Sequence, residues 1–104
     1  MKRITALLHA HRMSDIVHGL EAAGERRLSI VNARGLLQAA NAREQDFSVQ
    51  LGERVTQELQ LDVFCEDDRV DALVALIVRH GRTAQSESGW IFVTPIDAAV
   101  AIRG

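Results

Sequence analysis

Thr56-Gln57-Glu58-Leu59-Gln60-Leu61-Asp62-Val63-Phe64-Cys65 is the stretch on which the fold turns. Leu59, Leu61, Val63 and Cys65 alternate strictly with Glu58, Gln60, Asp62 and Phe64, the period-2 pattern of a half-buried β-strand. A helix follows at once. Asp67, Asp68 and Asp71 favour its N-terminus, Val70, Leu73, Val74 and Ile77 form an apolar stripe, and Arg79 and His80 suit the negative end of its dipole before Gly81 ends it. A polar loop over 82–89 leads into a last core strand, Trp90 to Thr94, which Pro95 stops before a short tail from Ile96 to Arg103.

Upstream, the same order is repeated. Arg3 to His9 alternates as a strand, with Ile4, Ala6 and Leu8 on one face and Thr5, Leu7 and His9 on the other. Met13, Ile16, Val17, Leu20 and Ala23 then follow helical spacing, with Ser14 as N-cap and Gly24 as the left-handed terminator. Arg27 to Gly35 returns to strand character, Leu28 and Ile30 inward and Ser29, Val31 and Ala33 outward. From 36 to 54 the periodicity fails, leaving Phe47, Val49 and Leu51 scattered among Ala, Gln, Asn and Glu, and an insertion of that length in a small domain is usually functional or mobile.

Strand, helix, strand, strand, helix, strand is the ferredoxin-like βαββαβ order, an α+β fold in which two helices cover one face of a four-stranded antiparallel sheet. The whole chain, 1–104, reads as a single domain. Nothing remains to cover the second face, yet Leu7, Val31, Phe64, Trp90 and Phe92 fall on it beside Thr5, Ser29, Glu58, Gln60 and Asp62. That mixture is too apolar for a solvated surface and predicts packing against other copies of the chain.

Composition sets the outer limits on function. A formal net charge of -2 argues against a broad nucleic-acid surface or a polybasic membrane anchor. No apolar run approaches the roughly 20 residues of a membrane helix, and no signal peptide is recognisable, so a cytoplasmic protein without membrane insertion is expected. The single cysteine, Cys65, excludes an internal disulfide and a multi-thiolate zinc cluster. His9 and His11 could share a strand face and offer two metal ligands, His18 and His80 lie elsewhere, and no metal site or cofactor is expected. No paired general acid and base and no activated nucleophile can be seen, which argues against an enzyme.

The run GWIFVTPIDAAVAIRG (89–104) resembles the C-terminal signature of the PII signal-transduction superfamily. The similarity extends to the opening strand, Met13-Ser14-Asp15-Ile16-Val17, Gly35, Leu61-Asp62-Val63-Phe64, the acidic start of the second helix, and Arg82-Thr83. The resemblance implies a homotrimer that binds an adenine nucleotide in clefts between subunits and signals to a protein target through a long T-loop, here about 36–54, with a B-loop at about 82–89. Carried over by position, it implies a nucleotide shell of Leu7, Ser29, Gly35, Asp62, Phe64, Gln85, Ser86, Glu87, Ser88, Gly89, Trp90 and Arg103. The small residues of the B-loop suit a phosphate, since backbone N–H groups can turn toward an anion there. Arg34, Arg43 and Arg54 are a further anion-binding set near the T-loop base.

Departures from the pattern narrow the ligand. Trp90 stands where the family has a basic residue, Ala101 where it has an arginine, Glu58 where it has a lysine, Ala39 where it has a glutamine, and the B-loop carries Glu87. A carboxylate beside a phosphate costs on the order of a few kcal/mol at an effective dielectric near 20. AMP or ADP is therefore favoured, with ATP and bicarbonate as further ligands. The chain has no tyrosine, which excludes uridylylation. Within the superfamily the sequence points to the type associated with carboxysomes and bicarbonate transport. The alternatives are an orthodox nitrogen-regulatory PII and a CutA-type trimeric metal-binding protein using His9, His11 or Cys65.

Overall fold

The computed structural model describes residues 1–35, 45–48, 53–83 and 88–104, of which 34–35, 45–48 and 53–57 by their backbone. Its order is β1 (Lys2–His9), α1 (Met13–Ala22), β2 (Leu28–Gly35), β3 (Gln45–Ser48), β4 (Glu53–Cys65), α2 (Val70–Gly81) and β5 (Gly89–Pro95). The main sheet runs β2-β4-β1-β5 with every pairing antiparallel, which is the ferredoxin-like arrangement expected.

The 36–54 segment departs from its aperiodic reading. Gln45–Ser48 pairs with Glu53–Thr56, so β4 continues past its partnership with β2 and carries a fifth, short strand on the extension. Four residues, QDFS, are too few to show a period.

One face of the sheet and both helices enclose the core. Ile4, Ala6 and Leu8 of β1, Leu61, Val63 and Cys65 of β4, Met13, Ile16 and Leu20 of α1, and Leu73 and Ile77 of α2 are all buried. Ile30 is on the inner register as expected but is 40% exposed, because β2 is an edge of the main sheet. His9 and Glu58, cross-strand partners on the opposite register, are buried rather than solvated.

Two arginines that the sequence reading did not single out help to build the helix ends. Ser14 is not the N-cap of α1: a 3-10 turn over Ala10–Arg12 feeds the helix, and Arg12 holds the cap position. Arg12 reaches across to donate to the His80 carbonyl at 2.8 Å, in the last turn of α2. Arg69, the corresponding residue before α2, donates to the Ala23 carbonyl at 3.0 Å and pairs with Glu25 at 3.2 Å. Each helix thus receives at its C-terminal end a cation from the start of the other, where the carbonyls are unsatisfied and the dipole is negative. Gly24 (φ 87°) terminates α1 in the left-handed region as expected. Gly81 ends α2 as expected, as its last helical residue, and its missing side chain lets the helix approach Leu8, whose Cδ2 would be 3.0 Å from a β-carbon there.

Candidate functional site

The outer sheet face gathers most of the residues singled out from the sequence. Across it, register places Ser29 opposite Asp62, Asp62 opposite Thr5, and Thr5 opposite Phe92. The next row toward the Leu8 end holds Val31, Gln60, Leu7 and Trp90, and Phe64 faces Arg3 on the other side. Val31, Trp90 and Phe92 are about half exposed, and the two aromatic rings are stacked, with centroids 6.4 Å apart and planes 17° apart.

Asp62 is the organising group. Although 7% exposed, it accepts bonds at Oδ1 from Thr5 Oγ1 (2.6 Å) and Arg3 Nε (3.0 Å) and at Oδ2 from Gln60 Nε2 (3.1 Å). Burial pushes its carboxyl up, but the bonds from Arg3, Thr5 and Gln60, together with the Arg3 charge, bring it below the usual carboxylate range. Arg3 was not among the residues the sequence suggested. Its tie to Asp62 spans 59 positions and becomes visible only once the β1–β4 register is known.

The B-loop is held at its neck. Thr83 donates to Ser88 Oγ through its N–H at 2.8 Å and through its hydroxyl at 3.1 Å, so the Ser88 hydroxyl closes the loop. Gly89 follows at φ 152°, and a β-carbon on it would collide with the Leu7 carbonyl oxygen, so only glycine lets β5 meet β1 at this point. Gln85, Ser86 and Glu87 lie outside the described residues, as does Arg43. Arg34 sits opposite Gln57 and Arg54 opposite Phe47, three positions apart along β4. Gly35 pairs with Thr56 at the point where β2 ends.

The residues that the resemblance assigned to a nucleotide are spread over the sheet. Ser29 on β2 stands with Asp62 and Phe64 on β4, Gly35 lies six residues further along β2 opposite Thr56, and Gly89 and Trp90 at the start of β5, preceded by Ser88, stand with Leu7 on β1. The outermost strands, β2 and β5, are three strand spacings apart, about 14 Å. Arg103 stands apart from them. It is exposed in a tail that leaves β5 at the Pro95 end, where the Ile96 N–H donates to the Met1 carbonyl at 3.1 Å.

The residues named for a metal site fall in two places. The His9 and His11 rings are 6.0 Å apart, but Cys65 is paired with Lys2 at the far end of β1 from His9. Among the described residues no group of three or more His, Cys, Asp or Glu could hold an ion. Among them, too, no helix is long and apolar enough to cross a membrane.

Comparison with known proteins gives the family. The family model for nitrogen regulatory protein P-II matches residues 1–104. The chain is 28% identical over 103 residues to a nitrogen regulatory protein P-II of Cereibacter sphaeroides, covering 99% of this chain and 92% of that one. It is 27% identical over 107 residues to a nitrogen regulatory protein P-II 2 of Methanothermobacter thermautotrophicus, covering 99% and 90%, and 25% identical over 103 residues to a P-II protein of Microchaete diplosiphon, covering 99% and 92%. With a match from the first residue to the last and a fold of the expected order, the chain belongs to the nitrogen regulatory protein P-II family.

Proposed function

We propose that this P-II family regulator is a homotrimeric sensor that binds an adenine nucleotide between subunits and passes the signal to a protein target through the 36–54 segment. The observation that carries this reading is the separation of Ser29, on one edge strand of the main sheet, from Trp90, on the other. A ring in which the β5 edge of one copy lies beside the β2 edge of the next brings the Trp90 set against the Ser29 and Asp62 set in every cleft, and such head-to-tail contacts close into cyclic oligomers. The half-exposed Trp90–Phe92 stack supplies apolar surface for that packing.

AMP or ADP is the favoured ligand. Phosphate binding falls to the loop whose neck Thr83 and Ser88 close, with Arg103 as the cation, while Trp90 offers no charge to a longer phosphate chain. ATP and bicarbonate are further ligands in this reading, the latter through a role in inorganic-carbon regulation. Calorimetric titration with AMP, ADP and magnesium ATP, alongside sedimentation, tests it. The expected result is a trimer that binds AMP or ADP at least as tightly as ATP. A stable monomer, or much tighter binding of ATP, contradicts it.

A further inference from the structure

We infer that Gln60 is a specificity-determining residue, whose side-chain oxygen accepts a hydrogen bond from the 6-amino group of adenine and so selects that base over a 6-oxo purine. The inference rests on the nucleotide reading above, in which the 82–89 loop takes the phosphate and the base falls to the Asp62 side of the cleft. It adds a residue outside the set that the resemblance implies.

Gln60 stands two positions before Asp62 on β4, so both side chains leave the same face of the sheet. Its Nε2 donates to Asp62 Oδ2 at 3.1 Å. That bond settles which end of the amide points where, because an ionised carboxylate can only accept and the NH2 group must turn toward it. The carboxylate cannot follow the amide if it rotates, since Thr5 and Arg3 hold its other oxygen and keep it ionised. The Gln60 oxygen is therefore directed away from Asp62. Among the described residues no donor meets it, and the side chain is only partly buried, so its lone pairs are left for a ligand on the outer face.

An acceptor fixed in this way distinguishes purines at position 6. Adenine presents an N–H donor there, whereas guanine and hypoxanthine present an oxygen. A glutamine free to turn over would serve either base. Gln60 can do so only by setting its own oxygen against the Asp62 carboxylate and leaving that group without one of its three donors. The neighbouring surface suits the flat face of a base: Val31, the register partner of Gln60 on β2, is half exposed and apolar.

Calorimetry with AMP and IMP, whose purines carry an amino and an oxo group respectively at position 6, isolates the role. Wild-type protein should bind AMP about tenfold or more tighter than IMP, since an acceptor facing an acceptor forfeits the bond and leaves both groups unpaired. Gln60→Lys keeps a donor for Asp62 and removes the acceptor, so the preference for AMP should vanish or reverse. Gln60→Leu removes both functions, should likewise abolish the preference, and carries the test if the lysine variant does not fold. If both variants weaken AMP and IMP equally, leaving their ratio unchanged, Gln60 merely supports Asp62. That result, or a wild-type protein that binds the two ligands alike, overturns the inference while the nucleotide reading stands. If wild-type protein binds neither ligand, both fail.

Discussion

Thr5 Oγ1 donates to Asp62 Oδ1 at 2.6 Å across the β1–β4 ladder, joining the hydroxyl of one central strand to a nearly buried carboxylate on the next. The bond is short because the acceptor is ionised, and it helps keep a charge on a sheet face where burial alone would disfavour it. Replacing Thr5 with valine removes the donor at nearly constant volume. A loss of about 1.5 to 3 kcal/mol in unfolding free energy is expected from urea titration at neutral pH.

The same carboxylate sets a pH dependence. Asp62 has a lower pKa folded than unfolded, so its contribution to stability is complete above the unfolded value of about 3.9 and is lost as the pH falls from there through the folded one. Urea midpoints measured between pH 7 and pH 3 should therefore fall at the acid end, and Asp62→Asn should flatten that part of the curve. An unchanged acid slope in the variant would assign the effect to other carboxylates.

Arg12 and Arg69 make a paired prediction. Each caps the C-terminal end of the helix that the other one starts, so Arg12→Ala should expose the last turn of α2 and Arg69→Ala that of α1. About 1 to 2 kcal/mol is expected for each, and hydrogen exchange should quicken near His80 in the first variant and near Ala23 in the second.

Cys65 should be chemically quiet. It is buried in the core, and burial, followed by the negative charge of Glu25, pushes its thiol up. A disulfide reagent at pH 8 should modify the native protein slowly and the urea-unfolded protein at the rate of a free thiol. Fast modification of the native state would contradict the packing.

Arg103→Ala should weaken AMP and ADP binding about tenfold or more, through loss of a charge-assisted contact, while sedimentation shows the oligomer unchanged. Arg26→Ala provides the contrast, because Arg26 lies in the exposed connection between α1 and β2. Equal effects from the two would deny Arg103 a specific role.

Periodicity and terminators made the main elements legible, and they did so for a physical reason: β4 separates one buried face from one open face, and α1 and α2 each bury a stripe. What the sequence hid was non-local. Ile30 has an inward register yet lies on an edge strand, and Glu58, on the register expected to pack against other copies, is already buried opposite His9 within the single chain. Ser14 has the chemistry of a cap, but Arg12 already occupies the position because a 3-10 turn precedes the helix. Leu7, Ser29, Asp62, Phe64 and Trp90 could be assigned to one face from alternation alone. Their separation into a β2 side and a β5 side required the strand order.

That separation is the central claim, and subunit mixing tests it most directly. Phe64→Ala disables the β2 side of a cleft and Trp90→Ala the β5 side, so neither variant alone should bind AMP well. If a cleft takes one side from each of two copies, equal mixtures of the two variants, unfolded and refolded together, should recover about a quarter of the wild-type sites, the fraction of clefts in a random ring that receive both intact sides. Binding no greater than that of the separate variants would contradict a site shared between subunits.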